Sequence, residues 1–104
     1  MSAHRANLDL IDRFEVWEHR RNLAAKTMQG RRMRLQSLSR HFGRSLLEAE
    51  DDDIDAWLRA CNAPAGLAPQ SFEGYLRSVR AFYQWAIRER LIEKDPTVDV
   101  VRPR

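Results

Sequence analysis

A chain of 104 residues with 43% hydrophobic and 32% charged side chains and a net charge of +3 supports one compact domain with a real core and a charged surface. No apolar run approaches the length of a membrane span, and Asp9 and Asp12 inside the first apolar stretch argue against a secretory signal. The single cysteine, Cys61, excludes an internal disulfide, reads as a small helix-face residue, and fits a reducing, cytoplasmic setting.

Nothing reads as strand, because sustained alternation and hairpin turn pairs are both missing. Four segments carry the helical period instead. The first spans about Leu8 to Arg21, with Leu10, Ile11, Phe14 and Trp17 on one face and Arg20 and Arg21 at the end that the helix dipole favours for cations. The second spans about Ala25 to Phe42 and stops at Gly43. Its apolar stripe is Met28, Leu35, Leu38 and Phe42, while Lys26, Gly30, Arg34, Ser37 and His41 fall on another side. Residues 22 to 44 carry Lys26, Arg31, Arg32, Arg34, Arg40 and Arg44 and no acid, a footprint suited to phosphate or to an acidic partner.

The third helix starts near Asp51, where three consecutive aspartates suit a helix N-terminus, and Ile54, Trp57 and Leu58 form its apolar face. A calcium loop would need alternating ligands and a turn glycine, so Glu50 to Asp53 reads as helix-start chemistry. Asn62 to Pro69, with Pro64 and Gly66, reads as a loop. The fourth helix then runs to about Arg90 as the central helix, with Phe72, Tyr75, Leu76, Val79, Phe82, Tyr83, Ala86 and Ile87 on its apolar face. Trp85 lies about 120° from the centre of that stripe, and cover for the C-terminal tail is its favoured role. Pro96 and Pro103 mark an extended tail ending in VVRPR without a packing signal, as if a second domain followed.

Helices two and four open alike at an offset of 44 residues: LAAKTMQG (Leu23 to Gly30) against LAPQSFEG (Leu67 to Gly74). Each copy has a glycine three residues after a hydroxyl, and glycine inside a helix costs about 1 kcal/mol relative to alanine. Either a ligand approaches the backbone there, a phosphate being the best candidate, or the glycines permit tight helix-helix contact.

The stretch GLAPQSFEGYLRSVRAFYQWAIRERLIEKDP resembles the last part of the core-binding domain of tyrosine recombinases. Leu67, Pro69 and Ser71 match that family's opening, Leu76, Arg80, Phe82 and Tyr83 its centre, and Leu91, Ile92, Asp95 and Pro96 its close. AAKTMQGRRMRLQSL is similar to its second helix, LLEAEDDDIDAWL to its third, and DVVRPR to its interdomain linker. The resemblance implies an all-α, SAM-like bundle of four or five helices over residues 1–95, with 96–104 beginning a linker to a catalytic domain. It implies a DNA clamp on double-stranded DNA, monomeric alone and tetrameric as the full-length protein on DNA. The implied contacts are Lys26, Thr27 and Arg34 at the second helix and Gln70, Ser71 and Arg77 at the fourth, and the paired openings add Gly30 and Gly74 as places where phosphate approaches the backbone. Gly30 and Gly74 stand where the family often has Asn or Arg, so base-reading hydrogen bonds from those side chains are lost. Arg31 replaces a usual Tyr, where it would snorkel outward or bind phosphate, and Ala24 and Ala25 replace a Ser-Pro cap.

No catalytic residue, metal site or cofactor motif is expected. His41 and Arg44 share a His-x-x-Arg spacing with one catalytic motif of the family but lack its flanking residues, and Tyr75 and Tyr83 belong to an apolar stripe. Zinc-type Cys/His clusters, P-loops and Gly-x-Ser-x-Gly are absent from the sequence. Two other functions compete with the DNA clamp. One is a protein-interaction bundle whose basic helix meets an acidic partner. The other is a helix-turn-helix regulator, which the long joints at Gly43 to Glu50 and Asn62 to Pro69 disfavour.

Overall fold

The computed structural model describes residues 2–102. They form α1 (Ala3–Arg20), α2 (Ala25–Phe42), a 3-10 turn (Leu46–Glu48), α3 (Asp51–Ala60) and α4 (Pro69–Arg88), with no strand among the described residues. This is the all-α bundle expected from the periodicity.

Helix ends follow local chemistry. Ser2 caps α1, its Oγ accepting from the Arg5 N–H at 3.3 Å, so the helix begins five residues before the expected Leu8. Gly43 takes the left-handed conformation (φ 72°) that ends α2 at Phe42, the bounds expected from sequence. At the start of α3 the Asp53 carboxylate accepts from the Glu50 N–H at 2.9 Å, so the acidic run is helix-start chemistry. Pro69 belongs to α4 rather than to the preceding loop, as its first residue, where the missing N–H costs nothing.

The core draws on every element. Ile11 and Phe14 of α1, Leu35 and Leu38 of α2, Leu46 of the 3-10 turn, and Ile54, Trp57 and Leu58 of α3 close around Phe72, Leu76, Val79, Phe82, Tyr83, Trp85 and Ala86 of α4. α4 is the central helix, as expected. Polar ties inside this core are specific. Tyr83 Oη donates to the Leu46 carbonyl at 2.8 Å, and Trp57 Nε1 donates to Ser37 Oγ at 3.1 Å. Asn7, fully buried, donates to Ser39 Oγ and to the Arg44 carbonyl and accepts from the Leu46 N–H.

Three expectations need correction. Trp85 does not cover the tail; it is 3% exposed and packs 5.6 Å from Phe14 and from Phe82, because α1 supplies a second wall beside the main stripe of α4. Ile87, assigned to the core face, is exposed. The tail does pack: Pro96, Thr97 and Val100 are buried, Arg80 donates to the Thr97 carbonyl at 3.3 Å, and the Val101 N–H donates to Asp55 at 3.2 Å. Pro103, the second proline of the tail, lies outside the described residues.

Candidate nucleic-acid interface

α2 and α4 run in opposite directions across one face. Arg34 Nη1 donates to Ser78 Oγ at 2.9 Å and to the Gly74 carbonyl at 3.2 Å, while Leu23 and Arg31 share a depression with Ala81, Gln84 and Arg88. The two similar openings therefore lie at opposite ends of this face and do not form one cradle. Between the helices is a groove of about 780 Å³, lined by Ala24, Lys26, Thr27, Gln29, Gly30, Arg31, Met33, Arg34, Gly74, Arg77 and Ser78. Six of the eight expected contact residues meet there: Lys26, Thr27, Gly30, Arg34, Gly74 and Arg77. Gln70 and Ser71 do not; both are exposed on the first turn of α4, beyond Gly74.

Both helix starts are uncapped. Ala24 and Ala68 hold the equivalent N-cap positions with extended backbone and no side-chain hydrogen bond. The first carbonyl-satisfied amides are those of Met28 and Phe72, so the N–H groups of Lys26 and Thr27, and of Gln70 and Ser71, precede the helical ladder. Uncapped amides of this kind suit an anion. The glycines sit one turn further on, so their N–H groups are not the free ones.

The glycines do not mediate helix packing. A Cβ at Gly30 would meet nothing within 4 Å, and one at Gly74 would meet only the Arg34 guanidinium, at 3.8 Å. Gly30→Ala should therefore raise stability by up to about 1 kcal/mol, or roughly 4–8 °C in a thermal melt. A fall in melting temperature would mean that the open space over Gly30 is filled in solution.

The positive charge of residues 22 to 44 is partly spent inside the fold. Arg31 pairs with Glu18 at 2.7 Å, Arg32 with Asp12 and Glu15, and Arg44 with Glu48 at 2.8 Å. Lys26 and Arg77 are exposed and have no carboxylate partner among the described residues. Arg34 also lies 4.7 Å over the Tyr75 ring, so it positions α2 on α4 as well as lining the groove.

Arg31 neither snorkels freely nor stands ready for phosphate alone: its partner Glu18 is fully buried, and one carboxylate oxygen, Oε1, has no hydrogen-bond partner. Glu18 was not singled out by its sequence position. Its place one helical turn after Phe14, on the core face of α1, was the available signal. Burial pushes the Glu18 carboxyl above its ordinary pKa, against the opposing pull of the Arg31 hydrogen bond and charge. A raised folded pKa means that this stabilisation is full below the unfolded pKa and is lost as pH rises through the folded value. The melting temperature of the native chain minus that of Glu18→Gln should thus fall as pH rises through and above the ordinary carboxylate range. A difference independent of pH would show that Glu18 titrates normally.

Tyr83 is fully buried, its hydroxyl proton is committed to Leu46, and burial raises its pKa. Tyr75 is half-buried between Trp57 (5.9 Å) and Arg34. His41 and Arg44 are both exposed, and Arg44 is paired with Glu48. Burial raises the Cys61 thiol. Among the described residues, no group of three or more His, Cys, Asp or Glu side chains could hold a metal ion, and no helix is long and apolar enough to cross a membrane.

The model of the phage integrase N-terminal SAM-like domain matches residues 11–90. The chain belongs to that family. An integrase from mycobacterium phage Brujita has the same fold over 92% of this chain, with a TM-score of 0.82 and 19% sequence identity. At that identity the likeness is one of fold. The SAM-like chain spans about a third of that integrase, 32% of its length. No curated protein sequence matches it. The matched segment contains α2, α3, α4 and most of α1, and with them the whole groove.

Proposed function

We propose that this SAM-like domain is a DNA-clamping module of a site-specific tyrosine recombinase, gripping one face of the recombination site and contributing no catalytic residue. The observation that carries the reading is the open groove between α2 and α4, where Lys26 and Arg77, without a carboxylate partner among the described residues, flank the uncapped start of α2. Backbone phosphate is the ligand that fits, because hydrogen-bond donors and positive charge dominate the groove and the uncapped start of α2 opens onto it. Thr27 and Gln29 add polar groups at the α2 end, and Gln70 and Ser71 would meet the duplex at the other end of the face.

Residues 1–95 form the clamp in this reading, and 96–104 lead towards a catalytic domain that supplies the nucleophile. Strand cleavage would need a tyrosine hydroxyl open to phosphate, and the Tyr83 hydroxyl is buried and committed to the Leu46 carbonyl. The isolated domain would be monomeric, and the full-length protein would act as a tetramer on paired DNA sites. Titration of duplex DNA at several salt concentrations tests the reading. Binding that weakens steeply with salt supports it. Absence of binding at low salt, or a preference for an acidic protein over DNA, overturns it in favour of a protein-interaction bundle.

A further inference from the structure

A second basic depression, of about 480 Å³, adjoins the first and shares Arg31 with it. Its walls are Trp17, Arg21 and Leu23 on one side and Ala81, Gln84, Trp85 and Arg88 on the other. On α4 the residues Gln70, Gly74, Arg77, Ala81, Gln84 and Arg88 recur at intervals of three and four, within about 80° of one another and opposite the core stripe. That row carries two cations, two amides, two small residues and no acid. The small residues Gly74 and Ala81 leave room for a close approach between the longer side chains.

Arg21 and Arg88 are exposed and have no carboxylate partner among the described residues. Arg21 is held at the rim by the Trp17 ring, 4.6 Å away. Of the acids near this depression, Glu18 is buried beneath Arg31 and paired to it, while the exposed Glu89 lies on the far side of Trp85, in a neighbouring hollow with Arg13 and Arg20. Glu73 flanks the far end of the row and is paired with Arg102.

We infer that the DNA-contacting face does not end at the helix starts but continues along α4 into this second depression, where Arg21 and Arg88 each neutralise a backbone phosphate of the same duplex. Gln84 lies between them as a neutral hydrogen-bonding group, and Trp17 fixes the Arg21 guanidinium. The inference rests on the clamp reading and extends it to residues that neither the family resemblance nor the first groove indicates.

The test compares the native chain with the double variant Arg21→Ala/Arg88→Ala and with Gln84→Glu, all three sites being exposed. Each is titrated with one duplex over a range of salt, and thermal melts are recorded alongside. The double variant should bind about tenfold more weakly at low salt, with a log K against log salt slope smaller by about two units. Gln84→Glu should weaken binding several-fold with its melting temperature unchanged, and the double variant, which loses the Arg21 contact with Trp17, should melt lower by no more than a few degrees. If the native chain binds and the double variant keeps its slope and affinity, the second depression carries no phosphate and the inference fails while the clamp reading stands. If the native chain shows no salt-dependent binding, both fail together.

Discussion

The double charge reversal Lys26→Glu/Arg77→Glu should lower affinity for duplex DNA by about a hundredfold near 0.1 M salt, and it should flatten the salt dependence. The native chain neutralises about three to five phosphates in the clamp reading, so log K should fall against log salt with a slope of about −3 to −5. Each reversal removes one released counterion and adds a repulsion of about 1 kcal/mol across a few ångströms of water-like medium. Two such losses and two such repulsions combine to a hundredfold at 1.4 kcal/mol per factor of ten. The slope should shrink by about two units. Both side chains are exposed and have no carboxylate partner among the described residues, and a carboxylate in the first turn of α2 suits the helix dipole, so the bundle should melt no lower than before. Arg34→Ala is a poorer probe, because it also breaks the ties to Gly74 and Ser78. Reversal of Arg59, exposed on α3, serves as the control and should leave binding within a few-fold. Equal loss from both faces would mean that net charge, not the groove, governs binding.

Asn7→Ala should be among the most destabilising polar substitutions in the chain. One side chain joins three elements: its Nδ2 donates to Ser39 Oγ at 2.8 Å and to the Arg44 carbonyl at 2.9 Å, and its Oδ1 accepts from the Leu46 N–H at 2.8 Å. Leu46 is fully buried, so its amide has no water to turn to. A buried group left without a partner costs about 1–3 kcal/mol, and this change strands a donor and weakens the satisfaction of an acceptor. The expected loss is roughly 2–4 kcal/mol, a large share of a total stability of about 5–15 kcal/mol. A melting temperature lower by roughly 10 °C or more follows for a domain of this size. Ser2→Ala, which removes only the exposed cap of α1, should cost about 1 kcal/mol or less. Melts of the two variants, with exchange of the Leu46 amide, check the ranking. An Asn7 variant no worse than the Ser2 variant would show that the Leu46 amide finds another acceptor.

The secondary structure was legible wherever it depends on neighbours in the chain. α2 has the bounds that its apolar spacing and Gly43 predicted, because a 3.6-residue period and a left-handed stop are local properties. The start of α3 followed from the acidic run for the same reason, and α4 proved central because its apolar face is the widest. The family resemblance was legible too, since it rests on short motifs in a fixed order, and residues 11–90 match that family. Helix phase had put Lys26, Gly30, Arg34 and Gly74 off the core stripes, and they line one groove together with Arg77, which the family resemblance had indicated.

Only the tertiary structure decided what depends on partners far along the chain. Trp85 is off the main stripe by angle, yet α1 crosses α4 there and buries it against Phe14. The roles of Asn7 and Glu18 depend on Leu46 and Arg31, 39 and 13 positions away, which only the packed helices bring to them. The tail showed no periodicity, and Val100 is buried only because α3 and α4 leave a place for it. The antiparallel passage of α2 and α4 separates two openings that look equivalent as text, and so leaves Gln70 and Ser71 outside the groove. A helical period specifies which side of a helix is apolar; it carries no information about which helix covers that side, or in which direction it runs.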